Sequence, residues 1–143
     1  MANTIWFDMD GTIYDLYGQE GWLQALRCED WERAFYLGKP RAHIDRINAA
    51  IEALVENGWT VGIVTWAPKG YDWDDEQIGE VRDVKHRWAC EFTPFLADCS
   101  FACIPYGVSK AQFLLDMGKA GELNYLVDDN KEVRKDWRSH SCE

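Results

Sequence analysis

Apolar positions along the chain alternate between short continuous runs and longer stretches of helical period. Residues 4–7 (TIWF) are β-prone and stop abruptly at Asp-Met-Asp-Gly-Thr, the pattern of a strand opening into a polar loop. Residues 60–65 (TVGIVT), 100–104 (SFACI) and 124–127 (NYLV) repeat it, the last ending in Asp128-Asp129. Between these runs the period lengthens. Ile44, Ile47, Ile51, Leu54 and Val55 share one face of a helix over 42–57, stopped by Asn57-Gly58. Ile78, Val81, Val84 and Trp88 do the same over 76–92, and Phe113, Leu114 and Met117 over 109–117, with Ser109 as cap. A final helix is expected over 131–137, followed by six frayed residues. Residues 13–41 are less regular, with short helices around Trp22–Leu26 and Trp31–Leu37 closed by Gly38-Lys39-Pro40.

Strands alternating with helices predict one α/β domain over 1–143. Its architecture is a Rossmann-like parallel sheet with helices on both faces and a small helical lid over about 13–41. Such sheets bind ligands outside the carboxyl ends of their strands. Three of the four strands deliver polar groups there: Asp8 and Asp10, then Thr65, then Asp128 and Asp129. Carboxylates gathered at one edge repel one another unless a cation sits between them, and an all-oxygen donor set suits Mg2+. A carboxylate there can attack phosphorus, and a second one two residues on can protonate the leaving oxygen and then activate water. Gly11 lets the backbone approach a phosphate, Thr65 offers a hydroxyl to its oxygens, and a lysine is needed to offset the gathered charge.

Composition narrows the partners. Fifteen basic against twenty-five acidic residues give a net charge of −10, which argues against nucleic-acid and anionic-membrane surfaces. No apolar run nears the roughly 18 residues that span a bilayer, and the acidic N-terminus does not resemble a signal peptide, so a cytoplasmic location is expected. Five cysteines, odd in number, are then expected as free thiols; the C-x3-C pair Cys99/Cys103 lacks the partners of a zinc site. His43, His86 and His140 are expected on the surface, and Asp72, Asp74, Asp75 and Glu76 in a solvated loop. Eight Trp, six Tyr and six Phe supply either core or a flat-ligand pocket. At least half of the lid aromatics are expected to be lid core, while Trp22, Trp66 and Tyr14 are the candidates for stacking on a base.

The sequence DMDGT at 8–12 resembles the first motif of the haloacid dehalogenase superfamily. Thr65 after VGIV resembles the second motif, Lys110 the third, 18 positions before Asp128, and Asp128-Asp129 after YLV the fourth. The four stand in family order and frame almost the whole chain. The resemblance implies a Mg2+-dependent phosphatase. Asp8 would be nucleophile, Asp10 acid/base, and Thr65 and Lys110 their helpers. Gly11 and Thr12 would lie beside the substrate, with Asp8, Asp10, Asp128 and Asp129 at the metal. Lys85 is placed instead on the surface or at the substrate rim. VTWAPK with a later K-x-x-W, and IPYGVSK with VDDNKEVRKDW, are similar to small 5'(3')-deoxyribonucleotidases and to bacteriophage-encoded members. This implies a nucleoside monophosphate or related small phosphorylated metabolite as substrate, and the host cytoplasm if the chain is virus-encoded. The segment between Asp10 and Thr65 is too short for the deoxyribonucleotidases' full cap. Two other classes remain open: a binder that captures a nucleotide-like signal without turnover, and a polynucleotide end phosphatase, which the net charge disfavours.

Overall fold

The computed structural model describes residues 3–16, 19–36, 38–97 and 100–141. The four apolar runs form β1 (Thr4–Phe7), β4 (Thr60–Trp66), β5 (Phe101–Ile104) and β6 (Asn124–Val127), all parallel in the order β5-β4-β1-β6. The expected parallel α/β architecture is therefore present. Helices α3 (Ile44–Glu56), α4 (Asp75–Phe92), α6 (Lys110–Asp116) and α7 (Lys131–Ser141) connect and follow the strands. The expected fraying of the C-terminus is overturned in part, since α7 continues to Ser141. A short helix, α5 (Pro94–Ala97), was not anticipated.

Alternation along β1 divides the interior in two. Phe7 joins a core with Val61 and Ile63, covered by residues of α3, α4, α5 and the lid. Trp6 points the other way, into a second core with Val64, Ala102, Leu114 and Trp137 beneath α6 and α7. Trp6 pairs in register with Gly62. A Cβ at Gly62 would meet the Trp6 ring at 2.5 Å, so the glycine makes room for the indole.

The lid contains α1 (Trp22–Arg27) and α2 (Trp31–Tyr36). Its two ends are joined by a ribbon that the sequence did not announce: β2 (Tyr14–Asp15) pairs antiparallel with β3 (Lys39–Pro40). Aromatic packing holds the lid on α4. Trp31 contacts the rings of Tyr71 and Trp73, while Trp88 donates from its indole to the Gly38 carbonyl at 2.8 Å. Tyr14 meets Trp88 edge-on and gives its hydroxyl hydrogen to the Phe35 carbonyl. It is wholly buried, so the sequence-based candidacy of Tyr14 for ligand stacking is corrected: it is lid core. Among the described residues no helix is long and apolar enough to cross a membrane.

Candidate active site

The parallel register of β1 and β6 sets Phe7 opposite Val127, so the next residue of each strand arrives at the same edge. The Asp8 amide donates to the Val127 carbonyl at 2.9 Å, locking the two chain ends together. Lys110 opens α6, whose cap is Ser109: its hydroxyl accepts from the Gln112 amide at 3.1 Å and donates to Asp136 at 2.7 Å. From there the Lys110 ammonium donates to Asp8 Oδ1 at 2.9 Å and to Asp128 Oδ2 at 2.8 Å. Lys110 is 2% exposed, which makes this a buried, doubly paired cation. Asp128 is held from two further sides. Its Oδ1 accepts from the Asn130 amide at 2.9 Å, and its carbonyl accepts from the Arg134 guanidinium at 2.7 Å.

Asp129 completes the cluster: Asp8, Asp128 and Asp129 each place a carboxylate oxygen within 4.8 Å of the others. Gly11 makes this approach possible. Its φ is +84°, which favours glycine, and a Cβ there would lie 2.2 Å from Asp129 Oδ2 and displace that carboxylate from its place. Three carboxylates share one lysine, and the electrostatics show the deficit. Burial, the Asp128 carboxylate and Asp10 outweigh the Lys110 ammonium and push the Asp8 carboxyl up to about 7. Asp129 is also raised, first by desolvation and then by its neighbours. This is an oxygen-only cluster with excess negative charge, and it fits a hard divalent cation. The Asp10 carboxylate, expected with these ligands, is not among them; it is turned toward Lys85.

The raised Asp8 value has a signed consequence for the metal-free protein. The folded state keeps a proton that the unfolded chain, with its ordinary value of 3.8, has released. Stability is therefore lost as pH rises from about 4 through about 7. Asp8→Asn removes that dependence. In EDTA its gain in melting temperature over the unsubstituted protein should be small near pH 4, grow through neutrality, and then level off. A gain that shrank with pH would contradict the assignment.

Lys85 is the main correction to the sequence-based placement. It is neither on the surface nor at the rim but wholly buried. Its ammonium donates to Asp10 Oδ2 at 2.9 Å, to Thr65 Oγ1 at 2.9 Å and to the Trp66 carbonyl at 3.0 Å. The Phe35 ring of the lid covers it, 5.0 Å from ammonium to centroid. Burial alone would lower the Lys85 value, but the charge and hydrogen bond of Asp10, with weaker help from Cys103 and Asp8, raise it. Thr65 is likewise fully buried and spends its hydroxyl on Lys85 rather than lining the cavity. A signal for Lys85 was present: with Val81, Val84 and Trp88 it occupies one helical stripe, so a lysine stood at a core position.

These groups border a cavity of about 570 Å³, within the range of small-molecule sites. Asp8, Asp10, Lys110, Asp128 and Asp129 form its polar end. Trp22 and Trp66, both expected to face a ligand, line its walls. Trp66 is fixed in place. Its indole donates to the Val108 carbonyl at 2.8 Å, and the Lys110 ammonium lies 5.2 Å from its ring centroid. Tyr106, absent from the expected set, adds a second ring 4.8 Å from Trp66, with the Lys69 ammonium 5.8 Å from its own centroid. No periodicity marks a single tyrosine in a turn, so nothing in the pattern singled it out. The Thr12 hydroxyl is buried with no partner among the described residues. Cys28 and Cys90 are exposed free thiols and Cys103 is half-buried, while Cys99 and Cys142 lie outside the described residues. His43 is exposed as expected, and His86 and His140 are half-buried. Asp72, Asp74, Asp75 and Glu76 are exposed as expected, but the last two belong to the first turn of α4 rather than to a loop, with Asp74 capping the helix by accepting from the Gln77 amide at 2.7 Å. No family model and no curated protein matches the chain.

Proposed function

We propose that the protein is a Mg2+-dependent phosphatase that transfers a phosphoryl group to Asp8 and then to water. The observation that carries this reading is the buried Lys110 ammonium bridging Asp8 and Asp128 at the closed end of a ligand-sized cavity. An Asp8 carboxylate oxygen attacks phosphorus, and the ester bond from phosphorus to the leaving oxygen breaks. The leaving oxygen takes its proton from Asp10. Water then attacks the aspartyl phosphate and returns a proton to Asp10, which frees inorganic phosphate and restores the Asp8 carboxylate. Lys110 offsets the charge that gathers on the phosphoryl oxygens. Asp8, Asp128 and Asp129 would hold the Mg2+, which when bound supplies positive charge that keeps Asp8 ionised and draws in the phosphate. Asp10 lines the cavity beside Asp8, which supports its part.

The test is a phosphate-release screen across nucleoside monophosphates, sugar phosphates and DNA ends, with Mg2+ and with EDTA. Release with Mg2+ that EDTA abolishes is expected. Full release in EDTA would remove the metal from the mechanism, and tight binding without release would favour capture over turnover.

Nucleoside monophosphates are the proposed substrate class, because aromatic rings line the cavity beside the end where a bound Mg2+ and Lys110 would draw in a phosphate. Stacking of a base on an aromatic ring is worth roughly 1–3 kcal/mol. Trp66→Ala should therefore raise the nucleotide KM by about 5- to 150-fold while leaving sugar phosphates little changed. Equal losses on both classes would point to a damaged phosphate end instead. Trp22→Ala and Tyr106→Ala extend the same comparison to the other walls.

A further inference from the structure

Among the described residues two buried lysines serve this site, and of these Lys110 pairs with Asp8 while Lys85 pairs with Asp10. Lys85 contacts neither Asp8 nor Asp128 by a hydrogen bond; its three acceptors are Asp10, Thr65 and the Trp66 carbonyl. These belong to the loop after β1 and to the end of β4. Phe35, which covers the ammonium, belongs to the lid. A wholly buried lysine is expensive to place, and a fold retains one only where it is fully paired. Here the pairing joins three segments at one carboxylate.

We infer that Lys85 is a positioning residue for Asp10. It pins Oδ2 and so holds in one orientation the carboxylate of a residue that lines the cavity and keeps 18% of its side chain exposed. Thr65 and the Trp66 carbonyl hold the ammonium from the β4 side, so the carboxylate cannot swing without breaking a buried ion pair. This role fixes where the carboxylate points, and it rests on the phosphatase reading above.

A positioning role predicts a dependence on the leaving group that a merely structural role does not. An alkyl oxygen, as in a nucleoside monophosphate, needs a proton as it departs. The phenolate of 4-nitrophenyl phosphate leaves without one. General acid–base help is worth roughly 10²–10⁴-fold. Lys85→Met should therefore lower kcat/KM, which reads only the steps through departure of the leaving group, by about 10²-fold for the nucleotide and much less for 4-nitrophenyl phosphate, so that the ratio between them falls at least about tenfold. In an Asp10→Asn background, Lys85→Met should not change that ratio further, because the shuttle is already gone.

Equal losses on both substrates, or a further fall of the ratio in the Asp10→Asn background, overturn the positioning role. If Lys85→Met alone fails to fold, the double variant still decides the matter, since it buries no unpaired charge: it must match Asp10→Asn, and a lower ratio overturns the proposal. A wild-type protein that released phosphate from neither substrate would instead bring down the phosphatase reading, and the positioning role with it.

Discussion

Asp8→Asn is expected to lower phosphate release by about 10⁴-fold or more, the scale on which loss of a nucleophile is felt in enzymes that pass through a covalent intermediate. The amide is nearly isosteric and can still meet the Lys110 ammonium through its carbonyl oxygen, so the cavity should keep its shape. What it loses is the anionic oxygen that, in the proposed mechanism, attacks phosphorus. Two measurements make the result specific. Rapid-quench trapping of labelled phosphoprotein should succeed with the unsubstituted protein and fail with Asp8→Asn. Melting in EDTA should show the variant folded and, above neutral pH, more stable than its parent, because it no longer buries an excess carboxylate. Near-normal turnover in a folded Asp8→Asn protein would end the covalent route.

Lys110→Met should produce the largest loss of stability. Lys110 is the cation that separates Asp8 from Asp128, and its removal leaves buried carboxylates facing one another. Breaking a buried pair by deleting one partner costs about 3–5 kcal/mol. At about 2–4 °C per kcal/mol for a chain of this length, the melting temperature of the metal-free protein should fall by about 6–20 °C. Mg2+ should recover part of this, since a divalent cation offsets the same charges. A variant melting within 2 °C of its parent in EDTA would show that the lysine is not the main support of the cluster.

The four core strands were legible in the sequence because each is a short apolar run that ends sharply in turn or acidic residues. Asp8 and Asp128 were legible because the strand ends of a parallel sheet converge, and Lys110 only through the motif resemblance; the structure puts the Lys110 ammonium within hydrogen-bonding distance of both. What was missed has physical reasons. The ribbon of β2 and β3 has two residues in each strand, too few to show a period. Tyr14 was ambiguous because a tyrosine in a lid can present its ring to a ligand or bury it; the Phe35 carbonyl that accepts its hydroxyl is 21 positions away and invisible locally. Lys85 was misplaced because a lysine in a mid-helix position is ordinarily solvated. Its stripe neighbours Val81, Val84 and Trp88 were recognised as buried, and the period that buried them buried Lys85 as well.

The pairing of β1 with β6 has a consequence for how the protein comes into being. Thr4 bonds Asn124 across 120 positions, and the Asp8 amide closes onto Val127 beside it. The sheet's central strand is thus made early in synthesis, and the edge strand that completes the acidic cluster is made late. A growing chain can assemble β1, β4 and β5 with the lid and α4, and so seat Lys85 on Asp10, long before Asp128 emerges. The half of the site built around Asp10 can thus precede the half built around Asp8, whose acidic neighbours Asp128 and Asp129 are made last. Closure across so long a loop is slow relative to local contacts. The interval leaves nascent chains with the core under the lid able to form, while the second core and the acidic cluster wait for α6, β6 and α7.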